Sequence, residues 1–188
     1  VSEADIPIKE NCPLRPVSPY AVSKTSQDHL AFAYFKSFNL KIIRTRMFTY
    51  FNPRRSDLFS TAFAKQVVAI EKGNQDVLRH GNLDSVRTMV DVRDAMKAYW
   101  LAAVKCEIGE VYNIGGSNTI SVGDVLKIMI DLAKVPIKTE INTNLLRAKD
   151  VTLQVPDSTK FIGCTGWTEE FSFDESLDHL LNYWRNRV

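Results

Sequence analysis

A helix start that carries two reactive side chains constrains this chain more than any other stretch. In the run from Ser18 to Lys24, Ser18 is a suitable N-cap and Pro19 suits the first helical position. Tyr20 and Lys24 are four residues apart, which places them side by side on one helix face. An ammonium beside a phenol favours the phenolate, so the pair can form a proton-transferring tyrosine. A solvated Tyr/Lys pair without function is the alternative, because this spacing also occurs by chance.

The segments after this helix start predict an α/β fold. The first helix is predicted from about Pro19 to Phe38, with Asn39 as its stop, and a strand follows from Lys41 to Met47. A strand that follows a helix in this way is typical of a crossover in a parallel sheet. Helices are predicted at about 58–72, 91–105, 121–133 and 173–187, and strands at 77–80, 87–90, 111–114 and 137–141.

The first helix also carries a group of aromatic residues: Phe32, Tyr34, Phe35 and Phe38. Aromatic side chains contribute large apolar areas to protein cores, so we predict that this face of the helix packs in a core. A surface that pairs with another helix is the alternative.

The composition argues against several classes of protein. The 24 basic and 22 acidic residues leave a formal charge of +2, too balanced to indicate a nucleic-acid or membrane partner. No apolar run approaches the length of a membrane span. Cys12, Cys106 and Cys164 are widely separated and odd in number, which favours reduced cytoplasmic thiols over disulfides or a metal site. We therefore predict a cytoplasmic protein without a metal.

Several further stretches carry a resemblance to a known family. Residues 16–24 are followed, in order, by stretches at 52–55, 81–87, 91–95, 110–116, 146–147 and 165–167. Their order and approximate spacing resemble those of extended short-chain dehydrogenases/reductases that act on nucleotide sugars, and most closely those of GDP-mannose 4,6-dehydratases. Together the stretches cover nearly the whole chain, so the resemblance to the superfamily is specific.

The resemblance implies a fold and a domain organisation. Residues 1–188 would form one unit, the later part of an NAD(P)-binding Rossmann-like sheet interleaved with a small α/β lobe that binds the nucleotide sugar. The sequence has no Gly-x-Gly-x-x-Gly turn, whose backbone amides hold the cofactor's pyrophosphate. We therefore expect the N-terminal dinucleotide-binding half to be absent. We also expect the chain to be the C-terminal part of a longer protein and to be inactive alone.

The resemblance also implies catalytic and cofactor-binding residues. Tyr20 would be the acid/base that acts on the sugar 4-hydroxyl, and Lys24 would assist it and hold the ribose of NADP, with NAD as the alternative. Arg54 and Arg55 match a family loop that reaches the nucleotide or a neighbouring subunit's cofactor. Two solvated loop arginines are the alternative for this pair.

Substrate-binding residues follow from the same resemblance. Arg87 and Arg147 match arginines that hold the nucleotide diphosphate, for which the planar guanidinium fork is suited, although each could instead form a surface salt bridge. Thr49 and Asn52 fall in the family's substrate loop. Thr49 replaces the usual Asn of that loop, and Phe63 falls near a family lysine, so both positions depart from the family pattern in the sugar-nucleotide pocket.

Three functions are compatible with these residues. The leading one is an NADP-dependent GDP-mannose 4,6-dehydratase, a lyase that works as a homodimer or homotetramer, represented here by its substrate-binding part. A GDP-4-keto-6-deoxymannose reductase, or another nucleotide-sugar epimerase or dehydratase, shares the Tyr/Lys pair. The resemblance implies that a dehydratase also depends on a Thr/Ser and a Glu just upstream of the tyrosine helix, in a motif expected before Val1, whereas a reductase does not need that Glu. A non-catalytic nucleotide-sugar-binding fragment is the alternative from another class.

Overall fold

The computed structural model describes residues 5–146 and 153–187 and shows alternating helices and strands. The helices are α1 Pro19–Phe38, α2 Phe59–Glu71, α3 Val92–Lys105, α4 Val122–Asp131, α5 Thr159–Thr165 and α6 Phe173–Arg185. The strands are β1 Arg44–Met47, β2 Tyr50–Phe51, β3 Val77–His80, β4 Val86–Thr88, β5 Val90–Asp91, β6 Val111–Ile114, β7 Thr119–Ser121, β8 Lys138–Ile141 and β9 Leu153–Gln154. The predicted helices and strands are present, except that the strand predicted at 87–90 is divided into β4 and β5. Strands β2, β7 and β9 and helix α5 were not predicted.

Short parallel pairs dominate the sheet structure. Strand β1 pairs with β6, β2 with β5, and β3 with β8, each in parallel. Strand β4 lies between antiparallel β7 and parallel β9. Parallel neighbours require crossover connections, which the intervening helices and loops supply.

Side-chain caps set several helix boundaries. The Ser18 hydroxyl accepts a hydrogen bond from the Ala21 amide at 3.1 Å, and α1 ends at Asn39 in the left-handed conformation with φ of 53°. Helix α4 begins after Ser121, whose hydroxyl accepts from the Asp124 amide at 2.9 Å. These local interactions explain why both helix starts were recognisable in the sequence.

Two hydrophobic cores organise the described residues. The first lies among α2, α4 and α6 and includes Val67, Val125 and Leu177. The second lies among α3, α5, β5 and β6 and includes Ile114 and Phe161. Strand β2 contributes to both cores, with Phe51 buried in the first and Tyr50 packed against the second.

The prediction that the aromatic residues of α1 pack in a core is wrong for the described part of the chain. Among the described residues, none in α1 is buried, and Tyr34 and Phe38 are 43% and 68% exposed. Phe35 contacts Gly109, where an added Cβ would lie 2.3 Å from the ring. Helix α1 contacts β1 on one side, but no layer of described residues buries its opposite side. Pairing of this surface with another subunit stays a prediction.

A buried ion pair connects the ends of α2 and α6. Arg185 donates from Nε to Glu71 Oε2 at 2.9 Å and from Nη2 to Oε1 at 2.6 Å. The Lys134 amide donates to the same carboxylate at 3.0 Å, and Arg185 also donates to the Leu132 carbonyl oxygen at 2.9 Å. The Glu71 and Arg185 side chains are only 7% and 14% exposed. The hydrogen bonds from Arg185 lower the pKa of the Glu71 carboxyl against the opposing effect of burial.

Candidate functional site

A cavity of about 540 Å³ brings together residues that are distant in sequence. Tyr20 from the first turn of α1, Thr49 from the loop after β1 and Arg87 from β4 all line it. Each was predicted from the sequence as a site residue. The cavity therefore combines the candidate acid/base, one position of the substrate loop and one candidate diphosphate ligand.

The side chains of Tyr20 and Lys24 lie on one helix face, as the spacing predicted. Lys24 Nζ is 5.7 Å from the centroid of the Tyr20 ring and donates to Gln27 Oε1 at 3.1 Å. Tyr20 is 70% exposed, so its hydroxyl is accessible to a ligand in the cavity. An accessible phenol can exchange a proton with such a ligand.

Arg87 lies in β4, the central strand of a three-stranded sheet. In the strand register it is opposite Ile120 of β7 and Gln154 of β9, and Gln154 also lines the cavity. Its Nη1 donates to the Val86 carbonyl oxygen at 3.1 Å, which restricts the orientation of the guanidinium. Arg147 lies outside the described residues. The convergence of Arg87 and Arg147 on one diphosphate thus stays a prediction.

The predicted site residues Asn52, Arg54 and Arg55 are not among the described residues that line the cavity. The Asn52 side chain accepts a hydrogen bond from the Arg54 amide at 3.0 Å, and its carbonyl oxygen accepts from Thr61 Oγ1 at 2.9 Å. Arg55 Nε donates to Asp57 Oδ1 at 3.1 Å, and this hydrogen bonding raises the pKa of the guanidinium further above its already high value. Asn52 therefore shapes the loop, and Arg55 holds the Asp57 carboxylate, which does line the cavity.

The sequence did not indicate that His80 and Gly81 line the cavity. His80 is 7% exposed, and its Nδ1 donates to the Gly81 carbonyl oxygen at 2.9 Å. A Cβ at Gly81 would lie 2.8 Å from the carbonyl oxygen of Leu145, so only glycine allows this close approach. The stretch 81–87 contributed to the family resemblance, but its spacing did not indicate which of its residues would face the cavity.

An apolar surface occupies the position that matches the family lysine. Phe63 is 5% exposed and lines the cavity together with Phe59, with the two ring centroids 5.8 Å apart. Lys65, the next cation along α2, lies with its Nζ 4.3 Å from the Trp184 ring centroid and is not among the described lining residues. This wall therefore offers van der Waals contact rather than positive charge.

A second cavity of about 580 Å³ lies beside Gly115, Gly116, Trp167 and Glu169. None of the predicted site residues is among its described lining residues. Within the described ranges there is also no group of three His, Cys, Asp or Glu side chains that could hold a metal ion. No helix in these ranges is long and apolar enough to cross a bilayer.

We take the Tyr20 cavity as the candidate active site, because three predicted site residues line it and none is among the described residues that line the second cavity.

Comparison with known proteins gives consistent matches over the whole chain. A family model described as GDP-mannose 4,6 dehydratase matches residues 2–180. Among curated proteins, the chain is 27% identical over 190 residues to the GDP-6-deoxy-D-mannose reductase of Pseudomonas aeruginosa. That alignment covers all of this chain and 62% of the relative, so the chain spans less than two thirds of that protein's length.

Solved structures give the same result for the fold. The structure of RMD from Pseudomonas aeruginosa complexed with NADPH matches with a TM-score of 0.92 and 26% identity, over all of this chain and 63% of that one. A dTDP-glucose 4,6-dehydratase from Bacillus anthracis in complex with NAD matches with a TM-score of 0.82 and 27% identity, over 95% of this chain and 55% of that one. The α/β, Rossmann-like fold class predicted from the sequence is confirmed.

Proposed function

Because the chain belongs to the GDP-mannose 4,6-dehydratase family of extended short-chain dehydrogenases/reductases, we propose that it carries the nucleotide-sugar site of an NADP(H)-dependent enzyme. This enzyme would oxidise or reduce the sugar at C4. The observation that carries the proposal is the cavity lined jointly by Tyr20, Thr49 and Arg87. It supplies a proton-transferring group, a hydroxyl for the sugar and a cation for the diphosphate.

The two cores suggest how the parts of this enzyme are divided. The core that contains Ile114 and Phe161, with β1 and β6, would belong to the later part of the Rossmann-like sheet. The core that contains Val67 and Leu177 would belong to the nucleotide-sugar lobe. Residues of both parts are interleaved along the chain, in keeping with one interleaved unit over residues 1–188.

The residues present fit one end of a nicotinamide dinucleotide. The Lys24 ammonium is exposed at the start of α1 and can donate to the ribose hydroxyls, with the Tyr20 phenol beside it. The glycine turn that holds the pyrophosphate of such a cofactor is not in this sequence. When bound, the nicotinamide supplies or accepts the hydride. Lys24 and Tyr20 would hold its ribose and exchange the proton.

Tyr20 would move the proton that accompanies the hydride. In the direction of reduction, the phenol donates its proton to the C4 oxygen as negative charge develops there. In the direction of oxidation, the phenolate accepts the proton of the 4-hydroxyl. Lys24 Nζ lies 5.7 Å from the centroid of the Tyr20 ring, so its positive charge would be close to the group that exchanges the proton.

Reduction at C4 is the first candidate reaction. Reduction of GDP-4-keto-6-deoxymannose needs one proton donor beside the carbonyl, and Tyr20 meets this need. The similarity to the Pseudomonas aeruginosa reductase over the whole chain supports the same candidate. Dehydration also needs a base for the C5 proton and an acid for the departing 6-hydroxyl.

Dehydration of GDP-mannose is the second candidate, and the match to the family model supports it. Two parallel incubations of the natural-length protein separate the candidates: GDP-4-keto-6-deoxymannose with NADPH, and GDP-mannose with NADP⁺. A reductase consumes NADPH in the first and yields a GDP-deoxyhexose. A dehydratase converts GDP-mannose to the 4-keto sugar without net NADPH formation. Binding of the GDP-sugar without turnover in either would instead indicate a non-catalytic protein, and faster turnover of UDP- or dTDP-sugars would contradict the guanine preference.

Changing Arg87 to Ala should weaken GDP binding by about 1.5–3 kcal/mol, the range for hydrogen bonds to charged groups. Arg87 lines the cavity from strand β4, so its loss would remove the guanidinium that we propose as a bidentate partner of the diphosphate. Titration calorimetry measures the change, and binding to the wild type should also weaken with added salt. The matched control is Arg187→Ala, which removes the same charge from an exposed position outside the cavity. Equal affinities of the two variants would contradict the assignment.

A further inference from the structure

Two cysteines that are far apart in sequence lie together at the end of α3. Cys106 follows this helix directly, and its amide donates to the Ala102 carbonyl oxygen at 3.1 Å. Cys164 lies in α5, and its Sγ donates to the carbonyl oxygen of Lys105 at 3.3 Å. The Cys164 sulfur thus contacts the backbone of the residue that immediately precedes Cys106.

The two thiols differ in their exposure. Burial raises the pKa of the Cys106 thiol to about 12, and the nearby Cys164 thiol adds to this rise. Cys106 is only 9% exposed, whereas Cys164 is exposed to solvent. A protected thiol therefore lies beside an accessible one, and both are free in this structure.

A second contact holds the same two helix ends together. Lys105 Nζ donates to the carbonyl oxygen of Thr165 at 2.7 Å. The residues that precede Cys106 and follow Cys164 are therefore joined independently of the thiols. This reduces the conformational freedom that a bond between the two sulfurs would have to remove.

We propose that Cys106 and Cys164 form a reversible disulfide when the protein is exposed to a hydroperoxide. The junction of α3 and α5 would then be a site of thiol oxidation. Neither cysteine is among the described residues that line the Tyr20 cavity. The proposal is therefore independent of the sugar chemistry proposed above.

The exposed thiol reacts first. The Cys164 thiolate attacks the peroxide O–O bond, which gives a sulfenic acid on Cys164 and releases an alcohol, or water from hydrogen peroxide. The Cys106 sulfur then attacks the Cys164 sulfur. The S–S bond forms and hydroxide leaves as water with the Cys106 proton. In total two thiols are oxidised to one disulfide, one hydroperoxide is reduced, and a dithiol reductant reverses the change.

The bond would stabilise the fold because it closes the long loop between α3 and α5. Cross-linking distant residues lowers the entropy of the unfolded chain. The melting temperature should rise by about 5–15 °C on oxidation. The rise should disappear in Cys164→Ser, which cannot form the bond.

Peptide mapping of the natural-length protein after treatment with hydrogen peroxide and alkylation tests the proposal. The expected product is a peptide pair linked through Cys106 and Cys164 that dithiothreitol separates. Cys12→Ser is the matched control and should give the same product. Cys106→Ser should instead accumulate sulfenic acid on Cys164, detected as a dimedone adduct. If Cys106→Ser does not fold, the wild-type map and Cys164→Ser still decide the question, because Cys164 is exposed.

Three outcomes would overturn the proposal. One is a wild-type dimedone adduct on Cys164 as abundant as that in Cys106→Ser, which would mean that Cys106 does not resolve the sulfenic acid. Another is a cross-link found only between two molecules. The third is a disulfide in which Cys12 is one of the partners.

Discussion

Replacement of Tyr20 by Phe should lower the turnover of the natural-length enzyme by at least about a hundredfold, the lower end of a general acid–base contribution. The substitution keeps the ring, which lines the cavity, and removes the hydroxyl that would exchange a proton with the C4 oxygen. The affinity for the nucleotide sugar should stay close to that of the wild type, because Arg87 and the cavity walls are unchanged. Steady-state kinetics and titration calorimetry on the same preparations measure the two quantities.

Tyr34→Phe is the matched control for this experiment. Tyr34 lies on the same helix and is 43% exposed, but it is not among the described lining residues of the cavity. Its hydroxyl should be dispensable for turnover. Wild-type turnover in Tyr20→Phe, or an equal loss in both variants, would contradict the assignment of Tyr20 as the proton-transferring residue.

Replacement of Glu71 by Gln should lower the free energy of unfolding by about 3–5 kcal/mol, the range for breaking a buried ion pair. The variant leaves the Arg185 guanidinium 14% exposed and without its carboxylate partner. Urea denaturation measures the loss. The matched control is Glu140→Gln, because the Glu140 and Arg79 side chains, 3.5 Å apart, are 61% and 56% exposed. An exposed pair of this kind contributes at most about 1 kcal/mol, so similar losses in both variants would contradict a buried pair.

The ion pair of Glu71 and Arg185 also predicts how the stability of the protein depends on pH. The pKa of the Glu71 carboxyl is lowered in the folded protein relative to its ordinary value of 4.5. Its contribution to stability is therefore fully present well above this value and is lost as the pH falls through the lower folded pKa. Urea unfolding at a series of acidic pH values should show a steeper loss of stability in the wild type than in Glu71→Gln. Parallel pH profiles for the two proteins would count against this origin of the shift.

Features that depend on neighbouring residues were predictable from the sequence. Ser18 and Asn39 delimit α1 through their own hydrogen bonding and backbone conformation, so the helix has the predicted bounds. The shared face of Tyr20 and Lys24 follows from the pitch of that helix alone. By contrast, β9 has two residues and α5 has no side-chain cap, and neither carries a local pattern strong enough to indicate its structure.

The sequence by itself determined the α/β class, the main helix and strand boundaries and the Tyr20–Lys24 pair, because caps and periodicity act within a few residues. Only the tertiary structure decided which distant residues meet. It placed Thr49 and Arg87 beside Tyr20 and left Arg55 with Asp57. It also left Phe32, Tyr34 and Phe38 of α1 exposed, which an apolar pattern could not separate from core residues because the pattern does not specify what covers a face. The contact of Cys164 with the Lys105 carbonyl oxygen, next to Cys106, likewise depends on how α5 packs against the end of α3, which no local sequence pattern encodes.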